Sequence, residues 1–160
     1  MTQPPSTDEG SSRLQVARRI CADPTSTALL LAGPTALELW PGVRRLGEVG
    51  GRVLVEAQVA PGRQHLPATA ASVTARPPRR TPTAFVTRFS WAGPGLPVTA
   101  GVLTLTYAPG GEGIPSTHAE LVLDVAGLQD SRVDLAGLTA MAEGFLANLA
   151  AAAQARRRAA

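Results

Sequence analysis

One long stretch of this chain is both free of proline and helical in period, and it lies at the C-terminal end. Leu135, Leu138, Met141, Ala142, Phe145, Leu146 and Leu149 recur three and four residues apart, which puts them on one stripe of a helix. The spacing predicts a helix over 132–156, with Ser131 and Asp134 three residues apart as a capping box at its start. Gly137 and Gly144 interrupt it on nearly the same side, which marks either a close approach to a neighbour or room left for a ligand. Upstream the chain is broken repeatedly: its 160 residues include 14 Pro and 16 Gly, too many turn formers for a helix bundle. The apolar stripe therefore has to pack on strands.

The strands are legible as alternation. Leu14, Val16 and Ile20 interleave with Arg13, Gln15 and Arg19 over 13–21. Asp23-Pro24 then opens a short helix through Leu29, Leu30 and Leu31, which Gly33 ends, and a second short helix, TALELW, stops at Pro41-Gly42. Strands are predicted at 43–49 and 52–60, joined by Gly50-Gly51 as a hairpin. The segment HLPATAASVTARPPRR carries little pattern, and a strand near 71–76 is placed there. Phe85, Thr87, Phe89 and Trp91 oppose Val86, Arg88 and Ser90 over 83–91, and further strands follow at 98–107 and 117–125. One apolar and one polar face per strand implies an antiparallel sheet covered on one side.

The element order is then a strand, two short helices, about six more strands and one long helix. This order resembles the helix-grip superfamily, also called START-like, Bet v 1-like or SRPBCC, which contains polyketide cyclases, lipid-transfer domains and plant allergens. ADPTSTALLLAGP is similar to the family's first turn and helix, LELWPGVRRLGEVGG to its second helix and first hairpin, and 135–153 to its closing helix. The resemblance implies an α+β fold in which a curved antiparallel sheet of about seven strands wraps around the C-terminal helix. It covers 13–157 as one domain, between a disordered tail at 1–12 and a short tail at 158–160.

Composition narrows the chemistry. Hydrophobic residues make up 44%, enough for a sizeable core. All 15 basic residues are Arg, which excludes a Schiff-base lysine and a Walker-type lysine. Cys21 is the single cysteine and His65 and His118 the only histidines, too few for a Cys/His zinc site, so no metal and no cofactor is expected. Cys21 reads as buried and inert by default. The net charge of +3 comes from Arg156, Arg157 and Arg158 at the end of the last helix, where cations favour the helix dipole; no nucleic-acid motif accompanies them. The polar first dozen residues hold no apolar signal region, and no membrane span is expected. The expected setting is cytoplasmic.

In the fold implied by the resemblance, a cavity lies between the sheet and the long helix. Trp40, Phe85, Thr87, Phe89, Trp91, Leu103, Leu105, Tyr107, Leu121, Leu123, Met141 and Phe145 are the candidate ligand-binding residues. An apolar cavity with few polar groups selects a small hydrophobic partner: a polyketide-like, aromatic or lipidic molecule. The alternative is a polyketide cyclase, aromatase or dehydratase, whose family members place an arginine and a tyrosine in the pocket wall. Alternation turns Arg88 to the outer face, and only a bulge would reverse that. His118, Glu120 and Asp124 share the polar face and read as solvated. A third reading, a partner-binding module using a sheet edge or the Arg-rich tail, stays open, as does a homodimer.

Overall fold

A computed structural model describes residues 11–33, 36–58, 68–94, 96, 98–108, 113–126 and 135–159. The first strand, β1, is Ser11–Ile20. Helix α1 is Pro24–Ala32, with Pro24 in its first turn. Its N-cap is Asp23, whose carboxylate accepts from the Ser26 amide at 3.1 Å, while the Thr27 hydroxyl donates to the Asp23 carbonyl at 2.9 Å. The second expected helix is a single 3-10 turn, Ala36–Leu39. Between Gly33 and Pro41-Gly42 the chain has too few residues to propagate α-helical hydrogen bonds, so the expectation of two helices becomes one helix and a turn.

The strands that follow are β2 (Val43–Val49), β3 (Arg52–Gln58), β4 (Ala68–Ala75), β5 (Arg79–Arg80), β6 (Ala84–Ala92), β7 (Val98–Ala108) and β8 (Ser116–Ala126). Helix α2 is Leu135–Ala159. The expected helix start at 132, the Ser131–Asp134 capping box and His65 lie outside the described residues. All eight strands join one antiparallel sheet in the order β1-β8-β7-β6-β4-β3-β2, with β5 added beside β6. The eighth strand is β5, two residues long and without a periodic signal. Gly50 and Gly51 both take positive φ, 59° and 77°, the conformation a two-residue hairpin between β2 and β3 requires.

Strand register builds the inner face in rows. Val16, Leu121, Leu103 and Thr87 stand side by side on β1, β8, β7 and β6. In the next row Leu14, Leu123, Gly101 and Phe89 align, and a Cβ on Gly101 would meet Phe89 and Leu123 side-chain atoms at 2.6 and 2.9 Å. Glycine stands there because the Phe89 ring lies over the strand. Val53, Val73 and Trp91 form a third row on β3, β4 and β6.

Helix α2 covers this face with Leu138, Ala142, Phe145, Leu146, Leu149, Ala150 and Ala153, all buried. By length and composition alone α2 could cross a membrane. Its most apolar stripe is instead part of the core with β1, β7 and β8. Cys21 is exposed, against the expectation of burial: it lies just beyond the end of β1. Its carbonyl accepts from Arg157 Nη1 at 3.2 Å, so one of the C-terminal arginines reaches back to the first turn.

Candidate functional site

The interior is closed at one end by the arm formed by α1 and the 3-10 turn, and Trp40 at the end of that arm is its anchor. Trp40 is buried. Its ring stacks on Phe145 with centroids 4.1 Å apart and planes 18° from parallel. Phe89 and Trp91 meet it edge-on at 5.6 and 5.8 Å, the geometry aromatic quadrupoles prefer. Asn148 on α2 donates to the Leu39 carbonyl at 2.8 Å, one of the orphan acceptors at the end of the turn. Gly144 belongs to the same clamp, because a Cβ there would meet Pro41 Cγ at 2.8 Å. The glycine gap in α2 thus receives the arm.

Between arm, sheet and helix remains an apolar cavity of about 40 Å³. The arm contributes Leu31, Ala36, Leu37 and Trp40; the sheet contributes Val73, Ala75, Thr87, Phe89, Trp91 and Leu103; α2 contributes Phe145. No ionisable side chain is among them. The polar side-chain groups are the Thr87 hydroxyl and the two indole N–H groups. Among the described residues Trp91 Nε1 is buried with no hydrogen-bond partner. The volume holds ordered water at most, well short of the roughly 300–1,000 Å³ of a small-molecule pocket.

Six of the twelve residues singled out in the sequence line this cavity: Trp40, Thr87, Phe89, Trp91, Leu103 and Phe145. Phe85, Leu105 and Tyr107 line a separate open groove of about 300 Å³ at the ends of β6 and β7, beside Asp23, Thr25, Arg80 and Thr81. Tyr107 is exposed there, on the expected face of β7 but near its end. Leu121 and Leu123 are fully buried in the main core, and Met141 packs half-buried at its edge. Leu31, Leu37, Val73 and Ala75 were not among the sequence candidates. The first two belong to the arm and the others to the poorly patterned strand, where no alternation could assign an inner face.

Among the described residues, the other titratable groups singled out in the sequence sit outside the cavity. Arg88 is exposed on the outer face of β6. His118 and Glu120 are 4.0 Å apart on the outer face of β8, and Asp124 pairs with Arg13 at 3.5 Å. Among the described residues no cluster of three potential metal ligands occurs. In the open groove, the hydrogen bond within the α1 cap, chiefly from Ser26, holds the Asp23 carboxyl below its ordinary value despite partial desolvation.

No protein-family model and no curated protein matches the chain. Solved structures do. A conserved protein from Geobacillus kaustophilus superposes with a TM-score of 0.62 at 11% identity, over 89% of this chain and 95% of that one. Major latex-like protein 151 from Panax ginseng gives 0.55 at 13% identity, over 90% and 98%. StfQ, a di-domain aromatase/cyclase of the steffimycin biosynthetic pathway, gives 0.53 at 11% identity, over 92% of this chain and 52% of that one. The chain has the helix-grip, Bet v 1-like α+β fold.

Proposed function

We propose that the protein binds a small hydrophobic molecule, polyketide-like, aromatic or lipidic, between the sheet and α2. The observation that carries this reading is the buried, unpartnered Trp91 Nε1 beside an apolar cavity. A hydrophobic guest carrying one oxygen acceptor would satisfy that N–H while its body replaces the contacts among Trp40, Phe89 and Phe145. The ginseng and steffimycin-pathway proteins share the fold in which such a guest would sit. With about 40 Å³ free, binding requires the arm to lift from α2, as in ligand-selected opening of a minor state. The absence of ionisable side chains among the lining residues favours binding over chemistry inside this cavity. The same proposal treats the protein as soluble, since α2 buries its apolar stripe against the sheet, and takes its setting to be cytoplasmic.

A second reading, an enzyme of the cyclase, aromatase or dehydratase kind, draws on the open groove. There Arg80, Tyr107 and Asp23 flank the apolar Phe85 and Leu105, so a guanidinium and a phenol could polarise a carbonyl held against an apolar floor. The test of the leading reading is a titration with a flat neutral flavone, followed by tryptophan emission. The chain has two tryptophans, Trp40 and Trp91, both at the cavity, so saturable quenching reports entry there. No quenching up to the solubility limit would refute it; flavone binding lost in Tyr107→Phe would move the site to the groove.

A further inference from the structure

The outer face of the sheet carries a feature that the interior reading does not use. Between β4 and β6 the chain reads Arg76-Pro77-Pro78-Arg79-Arg80-Thr81-Pro82. This connection and β6 enclose an open groove of about 430 Å³, lined by Arg76, Arg79, Arg80 and Arg88 together with Pro77, Thr81, Pro82 and Val86. We propose that this groove is a binding site for a phosphate- or pyrophosphate-bearing ligand.

The arginines hang on a fixed frame. The Arg76 amide donates to the Arg88 carbonyl at 3.0 Å, tying the start of the connection to β6. Arg79 is in register with Val86 and so stands on the outer face, the face of Arg88 two residues further along β6. Arg80, in register with Phe85, stands at the rim and is shared with the groove of Phe85 and Tyr107. Pro77 and Pro78 restrict the backbone between Arg76 and Arg79. Thr81 locks the exit: its amide and its hydroxyl both donate to the Ala84 carbonyl, at 2.7 and 3.0 Å.

Charge is what separates this groove from an ordinary solvated face. Two exposed arginines elsewhere on the sheet have acids beside them, in Arg13–Asp124 and Arg44–Glu56, and half-buried Arg45 pairs with Glu48. Among the described residues none of Arg76, Arg79, Arg80 and Arg88 is in an ion pair, and no carboxylate lines the groove. Three like charges around one concavity, with Arg80 as a fourth at its rim, concentrate positive potential there. A single carboxylate occupies one guanidinium fork, whereas a phosphate or pyrophosphate offers enough oxygens for several forks at once. The volume lies within the range of small-molecule sites, and Pro77, Pro82 and Val86 supply an apolar wall for the remainder of an ester.

The test is calorimetric titration of the whole chain with inorganic pyrophosphate, paired with sedimentation on phosphatidic acid vesicles against phosphatidylcholine vesicles. The double variant Arg79→Gln/Arg88→Gln should weaken binding at least about tenfold, as loss of charge-assisted hydrogen bonds does. Arg156→Gln/Arg158→Gln, on the exposed end of α2, should stay within about twofold of the parent, apart from general screening. Binding of pyrophosphate that depends on Arg79 and Arg88 establishes a soluble phosphate ligand; dependence seen only with phosphatidic acid establishes a headgroup. Binding in neither arm, or a loss equal in the two double variants, overturns the proposal. The flavone titration on the same proteins stays unchanged if the outer groove and the interior are separate, so failure of one reading is distinguishable from failure of the other.

Discussion

Phe145 on α2 and Trp40 at the end of the arm stack face to face, with centroids 4.1 Å apart, and this contact joins the tip of the arm to the helix. Sheet and helix are held by many buried side chains. The end of the arm is held to α2 by this stack, by the Asn148–Leu39 hydrogen bond and by the fit of Pro41 against Gly144, while α1 packs into the same core through Ala28, Leu30 and Leu31. With one strong lock and two small ones to α2, the tip of the arm can open locally without global unfolding.

Removing the strong lock should also loosen the fold. Phe145 is 2% exposed, and Phe145→Ala is expected to destabilise by about 3–5 kcal/mol, lowering the urea midpoint with little change in slope. Tryptophan emission should shift to the red as Trp40 meets water. An unchanged midpoint together with unchanged flavone binding would contradict its place in the clamp.

Asn148 tests the arm without touching the core, because its side chain is exposed and its hydrogen bond among the described residues runs across to Leu39. Asn148→Ala should lower the opening free energy by roughly 0.5–1.5 kcal/mol, raising the flavone association rate about twofold to tenfold. Stopped-flow quenching measures this. A slower or identical rate would show that entry does not pass beneath the arm.

Which parts of this design were readable from residues alone follows from what periodicity encodes. Alternation fixes the face of a residue, so Phe85, Thr87, Phe89 and Trp91 could be assigned to the inner side and Arg88 to the outer. It carries no depth: Tyr107 shares a face with Leu103 and Leu105 but stands near the end of β7, exposed to solvent. Elements shorter than a period leave no trace. The two residues of β5 therefore went unread, and with them the grouping of Arg76, Arg79, Arg80 and Arg88. The contact behind Gly144 was equally hidden, because the residue that fills it, Pro41, is about a hundred positions away in sequence.

Gly101 is expected to resist even the smallest side chain. Its Cβ would stand 2.6 Å from Phe89 Cε2 and 2.9 Å from Leu123 Cδ2, so the ring must turn into the adjacent cavity. Overpacking costs about 1–3 kcal/mol, more than the roughly 0.5–1 kcal/mol that Ala gains over Gly in a strand. Gly101→Ala should lower stability and, by filling the cavity, weaken flavone binding. Stability equal to or above the parent would mean that Phe89 is not packed on this strand.

Asp23 predicts a pH signature. Its carboxyl is held below its ordinary value, 3.8, mainly by the hydrogen bond from Ser26. A depressed folded value means stability that is present above the unfolded value and lost as pH falls through the folded one. Asp23→Ala should therefore cost about 1 kcal/mol at neutral pH, as loss of an N-cap does, and the gap to the parent should narrow below pH 3.8. Urea midpoints at neutral and strongly acidic pH check this; a gap constant across that range would remove the charged cap from the account.

Trp91 distinguishes among ligands. Its Nε1 has no partner among the described residues, so a guest with an oxygen acceptor gains a hydrogen bond that a pure hydrocarbon cannot make. Such a bond contributes about 0.5–1.5 kcal/mol net, and more where the donor was left buried and unsatisfied. Trp91→Phe keeps an aromatic ring but deletes the N–H. Flavone affinity should fall about threefold to tenfold, while an oxygen-free aromatic hydrocarbon of similar shape should bind within about twofold of the parent, since only apolar contacts hold it. The difference between the two ligands is the informative quantity, because any general loosening of the cavity affects both alike. Affinity should also be flat between about pH 6 and 8, the range in which histidine titrates, because no lining residue is ionisable. Equal losses for the two ligands would show that the indole contributes only bulk, and the preference for an oxygenated hydrophobic guest would have to be abandoned.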